Sequence, residues 1–421
     1  MYILKTAIVA TGSELISGLV QDSNSKFLAE NLSNLGFQPE NIFICGDEKE
    51  NIKKTIFYAS QNADLIFITG GLGPTKDDLT KEAFAEAVDL KLIYSAEIEK
   101  KLENIFCNHN SNMSSNNLSQ AYLPEGAEII DNEKGTAPAL KVKKAEKCYY
   151  LLPGVPAELK YLFNNKILSE LSQISENSLL IKEFNFIGIG ESTLASNIEE
   201  LKLNPNLKIS YQAGKAEVKL RLKIDENCQL EAEKKKNIIK QAAAEIRSDF
   251  ADFIYGEDQQ SITDKVHELL ISKKLTIATA ESFTGGLIAE RLSSLAGSSQ
   301  YFLGSIVAYN EAVKKKLLKV DPQIIADSGT VSSKCVKAMA ENAAEIFDSD
   351  IAATATGAAG PEPHSGKSAG TMFVALNYQK ETKVFKLQKN YGREMNRYYA
   401  SQIVLFEIYK LIKESEETKN V

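Results

Sequence analysis

Ala280-Glu281-Ser282-Phe283-Thr284-Gly285-Gly286 is the stretch around which the C-terminal part of the chain is organised. Just before it, Leu275 to Thr279 is an apolar run of strand length. Just after it, Leu287 to Leu295 repeats apolar residues at helical spacing. Ser282 therefore stands where a strand turns into a helix. The first N–H groups of a helix have no partner within it, so at such a turn they can point at an oxyanion or a phosphate. Gly285 and Gly286 let a ligand approach that backbone closely. Two roles fit the serine: a nucleophile beside an anion site, or, like Thr284, a simple helix cap.

A nucleophilic serine needs a base, most often histidine. The chain has 3 histidines. His109 lies in an Asn/Ser-rich stretch of another region, and His267 falls in a helical pattern as a surface residue. His364, after Pro361 and Pro363, sits in a loop from which it could swing in. A lysine is the more economical partner, because burial or nearby cations depress its pKa enough for it to act as a base.

Further motifs follow the serine: Ala296-Gly297-Ser298-Ser299, Val307-Ala308-Tyr309, Lys314, Leu317-Leu318, Gly329-Thr330-Val331-Ser332 and Thr356-Gly357-Ala358-Ala359-Gly360-Pro361. With Ala280 to Gly286, this set resembles the C-terminal domain of the CinA proteins. That domain is similar to the stand-alone bacterial nicotinamide mononucleotide (NMN) amidohydrolases. The resemblance implies conversion of NMN to nicotinic acid mononucleotide and ammonia, with Ser282 as nucleophile and Lys314 as base. It implies Tyr309, Thr356, Gly357 and Arg393 around the substrate, and no metal or other cofactor. The N–H groups of Thr284, Gly285 and Gly286 would then hold the oxyanion. The chain departs from the family at Phe283, where a cysteine is usual, and at Asn390-Tyr391-Gly392-Arg393, where the turn before the arginine is altered. Lys315 and Lys316 follow Lys314 directly, so a slip in register would make Lys315 the base.

The 421 residues suggest two or three domains. Hydrophobic residues at 43% and charged residues at 25% are ordinary for soluble globular chains, and the net charge of -7 disfavours a general nucleic-acid binder. The 5 cysteines are scattered without a C-x-x-C pair, as reduced thiols of a cytoplasmic protein would be. Neither a signal peptide nor an apolar run long enough for a membrane span is read.

Residues 1–170 alternate strand-like runs (Thr6 to Ala10, Ile42 to Cys45, Leu65 to Thr69, Tyr149 to Leu152) with helical segments (Asn24 to Leu35, Ile52 to Gln61). That order predicts an α/β domain with a mostly parallel sheet and ligands at the carboxyl ends of its strands. There the chain carries Gly70-Gly71-Leu72-Gly73-Pro74-Thr75-Lys76-Asp77-Asp78-Leu79-Thr80. Its glycines and Lys76 suit a phosphate, and its carboxylates suit a divalent metal or an activated water. Gly12 to Glu14, Asp22 to Asn24 and Gly46-Asp47 are further polar clusters at strand ends. With Gly135-Thr136-Ala137-Pro138 and Pro153-Gly154-Val155-Pro156, these resemble the CinA N-terminal domain, which is similar to the molybdopterin-binding MoaB/MogA fold. The resemblance implies metal-dependent hydrolysis of ADP-ribose to AMP and ribose 5-phosphate, or adenylyl transfer to a pterin. Gly12, Glu14, Asn24, Asp47, Gly70, Gly71, Gly73 and Lys76 are then the nucleotide site, and Asp47 and Asp78 the metal positions.

Cys107 to Asn117 is a polar connection or a lid. Residues 179–256 form a small α+β unit resembling the KH-like middle domain of CinA. Gly188-Ile189-Gly190-Glu191 lacks the Gly-x-x-Gly spacing that clamps RNA, so a spacer or dimerisation unit is expected. Gly256 to Ser261 reads as a linker. Residues 262–413 form the C-terminal α/β domain, with strands at Ile351 to Ala355 and Thr371 to Leu376, a closing helix from Tyr398 to Ile412 and a fraying tail. Three turns would bring Ser282, Thr356 and Arg393 to one pocket. The expectation is a cytoplasmic, homodimeric, bifunctional nucleotide hydrolase of NAD recycling, acting on NMN and ADP-ribose and on neither nucleic acid nor membrane. The alternative is a regulatory protein, linked to competence and DNA damage, that binds nucleotides without turnover.

Overall fold

The structure is a computed structural model describing residues 4–108, 113–175, 181–225, 228–258 and 260–417. His109 and part of the 107–117 stretch lie outside the described residues. The chain divides into two compact units, one ending at Ile181 and the other beginning at Lys182. Among the described residues no helix is long and apolar enough to cross a membrane.

The first unit is built on a six-stranded sheet in the order Gln38–Cys45, Lys5–Thr11, Leu65–Thr69, Lys147–Leu152, Ala139–Lys144, Glu128–Ile130. The first four strands are parallel and the last two antiparallel. Successive residues of a strand face opposite sides, and here both sides are apolar. Ala7 and Val9 join one buried cluster with Ile66 and Ile68, while Ile8 joins the other with Phe67 and Tyr150. Helices Ser23–Asn34 and Lys49–Asn62 flank the sheet, and Leu168–Ile174 carries the unit past residue 170.

The second unit contains two sheets. One is four-stranded, Leu207–Ala213, Val218–Ile224, Ile181–Phe186, Ile254–Glu257, beside helices Glu191–Glu200 and Ala232–Asp249. Gly256 and Glu257 pair with Asn185 and Phe184, so the expected linker begins inside a sheet strand. The other sheet is five-stranded, Phe302–Val307, Ile277–Glu281, Ile351–Gly357, Thr371–Tyr378, Glu381–Gln388. Its first three strands are parallel and the last two antiparallel additions.

The closing helix starts at Arg393, five residues before the expected Tyr398, and runs on to Glu417 rather than fraying after Ile412. It packs in the largest apolar cluster, which also takes Ile187 and Tyr255 from the four-stranded half. The two halves are fastened by the turn between Leu207–Ala213 and Val218–Ile224. Lys215 bonds Glu394 at 3.1 Å, and Glu217 accepts from Tyr255 at 2.8 Å and from Gln402 at 3.1 Å. Gln402 in turn accepts from the half-buried Arg291 at 2.6 Å.

In the first unit the glycine closest to another stretch of backbone is Gly70. Its φ is +103°, and a Cβ there would lie 2.4 Å from the Thr11 carbonyl oxygen. Gly70→Ala is expected to cost the first unit about 3 kcal/mol, through left-handed strain and displacement of the Thr11 strand end. Denaturant unfolding followed by tyrosine fluorescence measures this.

Candidate active site

Ser282 sits at the carboxyl end of the middle one of three parallel strands. Its N–H continues the ladder to Ala355 O at 2.9 Å, and Glu281 O receives the N–H of Ala308 from the other neighbour at 2.7 Å. The serine is thus held by the sheet on both sides. The helix Leu287–Ser293 follows after a turn with Gly285 at φ +63° and Gly286 at φ +95°.

The cap of that helix is neither Ser282 nor Thr284. It is Glu281, a fully buried carboxylate that accepts from Gly286 at 3.0 Å, Ile288 at 3.1 Å and Ala289 at 2.8 Å. Gly285 N–H bonds back to Ser282 O at 3.1 Å. The N–H groups of Gly285 and Gly286, expected at the oxyanion, are therefore taken up inside the turn. Among the described residues, those of Phe283 and Thr284 have no partner. Thr284 is fully buried, and its carbonyl accepts from Arg397 Nη2 at 2.8 Å.

Lys314 occupies the short helix Glu311–Lys316, capped by Asn310, which accepts from Ala312 N–H at 2.8 Å. Its side chain is 1% exposed, with Nζ 2.8 Å from Ser282 Oγ and 2.7 Å from Ala308 O. Burial pushes the Lys314 pKa down, opposed weakly by Cys335 and Glu311. Cys335 is fully buried and its thiol is pushed up to about 11 by burial, so the wall beside the amine stays uncharged near neutral pH. Lys315 turns outward and pairs with Glu311 at 2.5 Å, which removes it as the alternative base.

Ser282 and Lys314 open onto a cavity of about 580 Å³ that also takes in Phe283, Tyr309, Thr330, Thr356, Gly357, His364 and Arg393. Thr356 and Gly357 belong to the strand end, and Arg393 to the first turn of a helix rather than to a loop. Thr356 donates to Thr330 O at 2.7 Å. Arg393 donates to Tyr309 Oη at 2.6 Å and to Gly360 O at 3.1 Å. His364 lines the cavity, but the group at hydrogen-bond distance from Oγ is the lysine amine. His267 is half-buried and engaged with Tyr301 at 3.0 Å, not a free surface residue.

Two residues of this site escaped the sequence reading. Glu281 is an acid in an apolar strand directly before a helix, and Arg397 stands four residues after Arg393 on one helix face. Both signals were present in the sequence. The second is hidden when the helix is read as beginning at Tyr398.

The first unit has its own cavity, of about 590 Å³, at the carboxyl ends of its parallel strands. Gly12, Glu14, Asn24, Asp47, Gly70, Gly71, Gly73 and Asp78 all line it, and so does Gln120, which was not anticipated. Lys76 does not. Asp78 receives Thr75 N–H at 2.8 Å and its own N–H bonds Thr75 O at 3.1 Å, closing a turn with Lys76 exposed at its tip. Among the described residues the lining holds six carboxylates (Glu14, Asp22, Asp47, Asp77, Asp78 and Glu158) and no lysine, arginine or histidine. Asp47 accepts from Ser13 N–H at 2.8 Å. Among the described residues no three His, Cys, Asp or Glu side chains gather to hold a metal by themselves. Lys81, 4% exposed and lowered to about 8 by burial, donates to Ser119 O at 2.7 Å and so anchors the segment that carries Gln120.

A MoaB/MogA-like α/β unit, a KH-like sheet and an α/β domain with a serine and a buried lysine together define a CinA-type architecture. Family comparison agrees along the chain: residues 7–173 match a probable molybdopterin binding domain, 181–256 the damage-inducible protein CinA KH domain, and 259–412 the CinA C-terminal domain. A putative competence-damage inducible protein of Halothermothrix orenii is 37% identical over 96% of this chain and 98% of its own. A CinA-like protein of Dictyoglomus turgidum is 36% identical over 94% and 97%. A solved CinA protein of unknown function from Thermoplasma acidophilum is 27% identical, covering 40% of this chain and 97% of its own, with a TM-score of 0.38. The chain belongs to the CinA family.

Glu281→Ala leaves three N–H groups, one buried and two partly buried, without their acceptor and is expected to cost roughly 3 kcal/mol, in proportion to the usual penalty per unsatisfied group. Chemical denaturation of the second unit reads this loss. A change under 1 kcal/mol would show that the carboxylate does not hold the turn.

Proposed function

We propose that the C-terminal site hydrolyses the carboxamide of a nicotinamide nucleotide, with NMN as substrate, by a Ser–Lys mechanism. The observation that carries this is the buried Lys314 amine 2.8 Å from Ser282 Oγ at the floor of a nucleotide-sized cavity. In the neutral amine one N–H remains on Ala308 O and the lone pair faces the serine hydroxyl.

Lys314 takes the hydroxyl proton as Oγ bonds to the carboxamide carbon. The carbonyl electron pair moves onto oxygen, where the unpartnered N–H of Phe283, a residue of the cavity wall, is suited to receive it. Each such donor is typically worth about 3 kcal/mol in the transition state. The C–N bond then breaks, with the proton from Lys314 passing to the nitrogen that leaves as ammonia. Water, giving a proton to Lys314, attacks the ester carbon. The proton returns to Oγ as the acid is released. Arg393 has two hydrogen bonds to protein and further guanidinium donors to spare, so it suits the 5'-phosphate at the cavity mouth.

In the N-terminal cavity we infer metal-dependent hydrolysis of ADP-ribose. Its wall of carboxylates without a cationic side chain is compatible with a pyrophosphate only when the charge is offset by cations. Asp47 and Asp78 would hold a divalent ion of the magnesium kind, with phosphate oxygens and water completing its shell. When bound, such an ion neutralises phosphate charge and activates water.

Ammonia and nicotinic acid mononucleotide released from NMN by the whole chain provide the test. Ser282→Ala is expected to lower turnover by a factor on the order of 10³ or more with the fold intact. Near-normal activity in that variant, or no release by the unaltered protein, would overturn the proposal.

The depressed Lys314 pKa gives two signs. Activity should rise with pH through a midpoint below the ordinary lysine value of 10.5, as the amine loses its proton. The unfolded chain binds this proton more tightly than the folded one, so stability should also rise with pH between the folded and unfolded values. Lys314→Met abolishes turnover and removes that slope. Unfolding curves of the two proteins across the alkaline range should therefore differ in pH dependence, and parallel curves would show that the amine is not desolvated.

A further inference from the structure

Two side chains in the N-terminal cavity wall carry an acceptor with nothing to accept. Asn24 is 9% and Gln120 1% exposed. The NH2 group of Asn24 donates to Gly154 O at 2.8 Å and Thr69 Oγ1 at 3.2 Å. That of Gln120 donates at longer range, to Leu72 O at 3.4 Å and Thr136 Oγ1 at 3.5 Å. A backbone carbonyl only accepts, so these contacts fix which end of each amide is nitrogen. Asn24 Oδ1 and Gln120 Oε1 are left buried, with no donor among the described residues. Buried acceptors are nearly always paired, and here two unpaired ones share one cavity.

Two threonine hydroxyls of the wall are already committed. Thr69 donates to Pro153 O at 3.0 Å and Thr11 to Thr69 O at 3.4 Å. The charged lining residues are all carboxylates, which accept. A ligand in the cavity can supply the donors that match. An amino-heterocycle offers two hydrogens on one flat group, whereas a sugar hydroxyl offers one. The terminal torsions of Asn and Gln are broad, so a modest rotation turns each oxygen toward such a group.

We propose that Asn24 and Gln120 read the exocyclic amine of a heterocyclic base, an amino-purine or an amino-pterin, bound in the N-terminal cavity. This rests on the cavity being a nucleotide or pterin site, and it concerns recognition rather than hydrolysis. Lys81 contributes at a distance, by fixing the Ser119 carbonyl next to Gln120.

Titration calorimetry on the full chain with magnesium present tests it, using two matched pairs. ADP and IDP differ by an amine against an oxo group on the purine, and pterin and lumazine by the same exchange on the pteridine. The amine member of at least one pair should bind about tenfold tighter or better, because a site built around a donor rejects the analogue lacking it. The pair that discriminates identifies the ring. Asn24→Leu and Gln120→Met should bring that ratio toward one, while Gln120→Glu, which keeps an acceptor, should retain it. Thermal unfolding checks that each variant folds, and the comparison of the pairs on the unaltered protein needs no variant. Equal binding of both members in both pairs would overturn the proposal and leave a nucleotide site standing if ADP binds. No binding of any of the four would overturn both. A ratio unchanged in folded Asn24→Leu and Gln120→Met would overturn the assignment to these residues.

Discussion

A lysine amine taken out of water beside a serine is the constraint on which the C-terminal domain depends. An ammonium in such a place is costly, and the cost falls away when the proton is given up. The fold keeps the cost in place by surrounding Lys314 with groups that do not rescue the charge. Ala308 offers one carbonyl, Cys335 a thiol that stays protonated, and Glu311 is drawn away to Lys315. The short helix carrying the lysine is fixed by its Asn310 cap, and the serine by strands on both sides.

Helix ends do different work in this site from what a strand-turn-helix motif suggests. The N-terminus after Gly286 is occupied by the chain's own carboxylate, Glu281, so the positive end of the dipole holds the turn in shape. What remains for a developing oxyanion lies one step earlier, next to the nucleophile. The phosphate contact proposed for this site falls to the start of another helix, where Arg393 stands. In the N-terminal cavity the glycine turn is likewise consumed by close crossings, Gly70 against Thr11 and Gly71 against Thr80.

Local patterns made much of this legible in the sequence. Leu65–Thr69 falls where its apolar run before the glycine turn placed it, and Ser282 stands at its strand end. The family resemblance singled out Lys314, but three consecutive lysines on a six-residue helix share one local pattern. Which of them points inward depends on where the helix begins, and that is set by Asn310 and by packing. Charge sign misled at Lys76, because a basic residue beside glycines suits phosphate whether or not its turn aims it there. Gln120 had no local signal, since its partners Leu72 and Thr136 are brought near only by the sheet. Reading the closing helix as starting at Tyr398 hides that Arg393 and Arg397 lie one turn apart on the same helix.

The turn Gly214-Lys215-Ala216-Glu217 grips the same long helix that presents Arg393 to the serine cavity and Arg397 to the Thr284 carbonyl. One rod is thus gripped by the KH-like sheet and feeds the active-site wall. Sequence drift in that turn is for this reason not neutral in the way surface loops usually are. A substitution at Glu217 that releases Gln402 also frees Arg291, whose guanidinium would then be half-buried with fewer acceptors. The KH-like module is in this sense a splint. Shortening or replacing it would set the helix, and with it the two arginines, under a different mechanical load, so the two segments are expected to change together over evolutionary time.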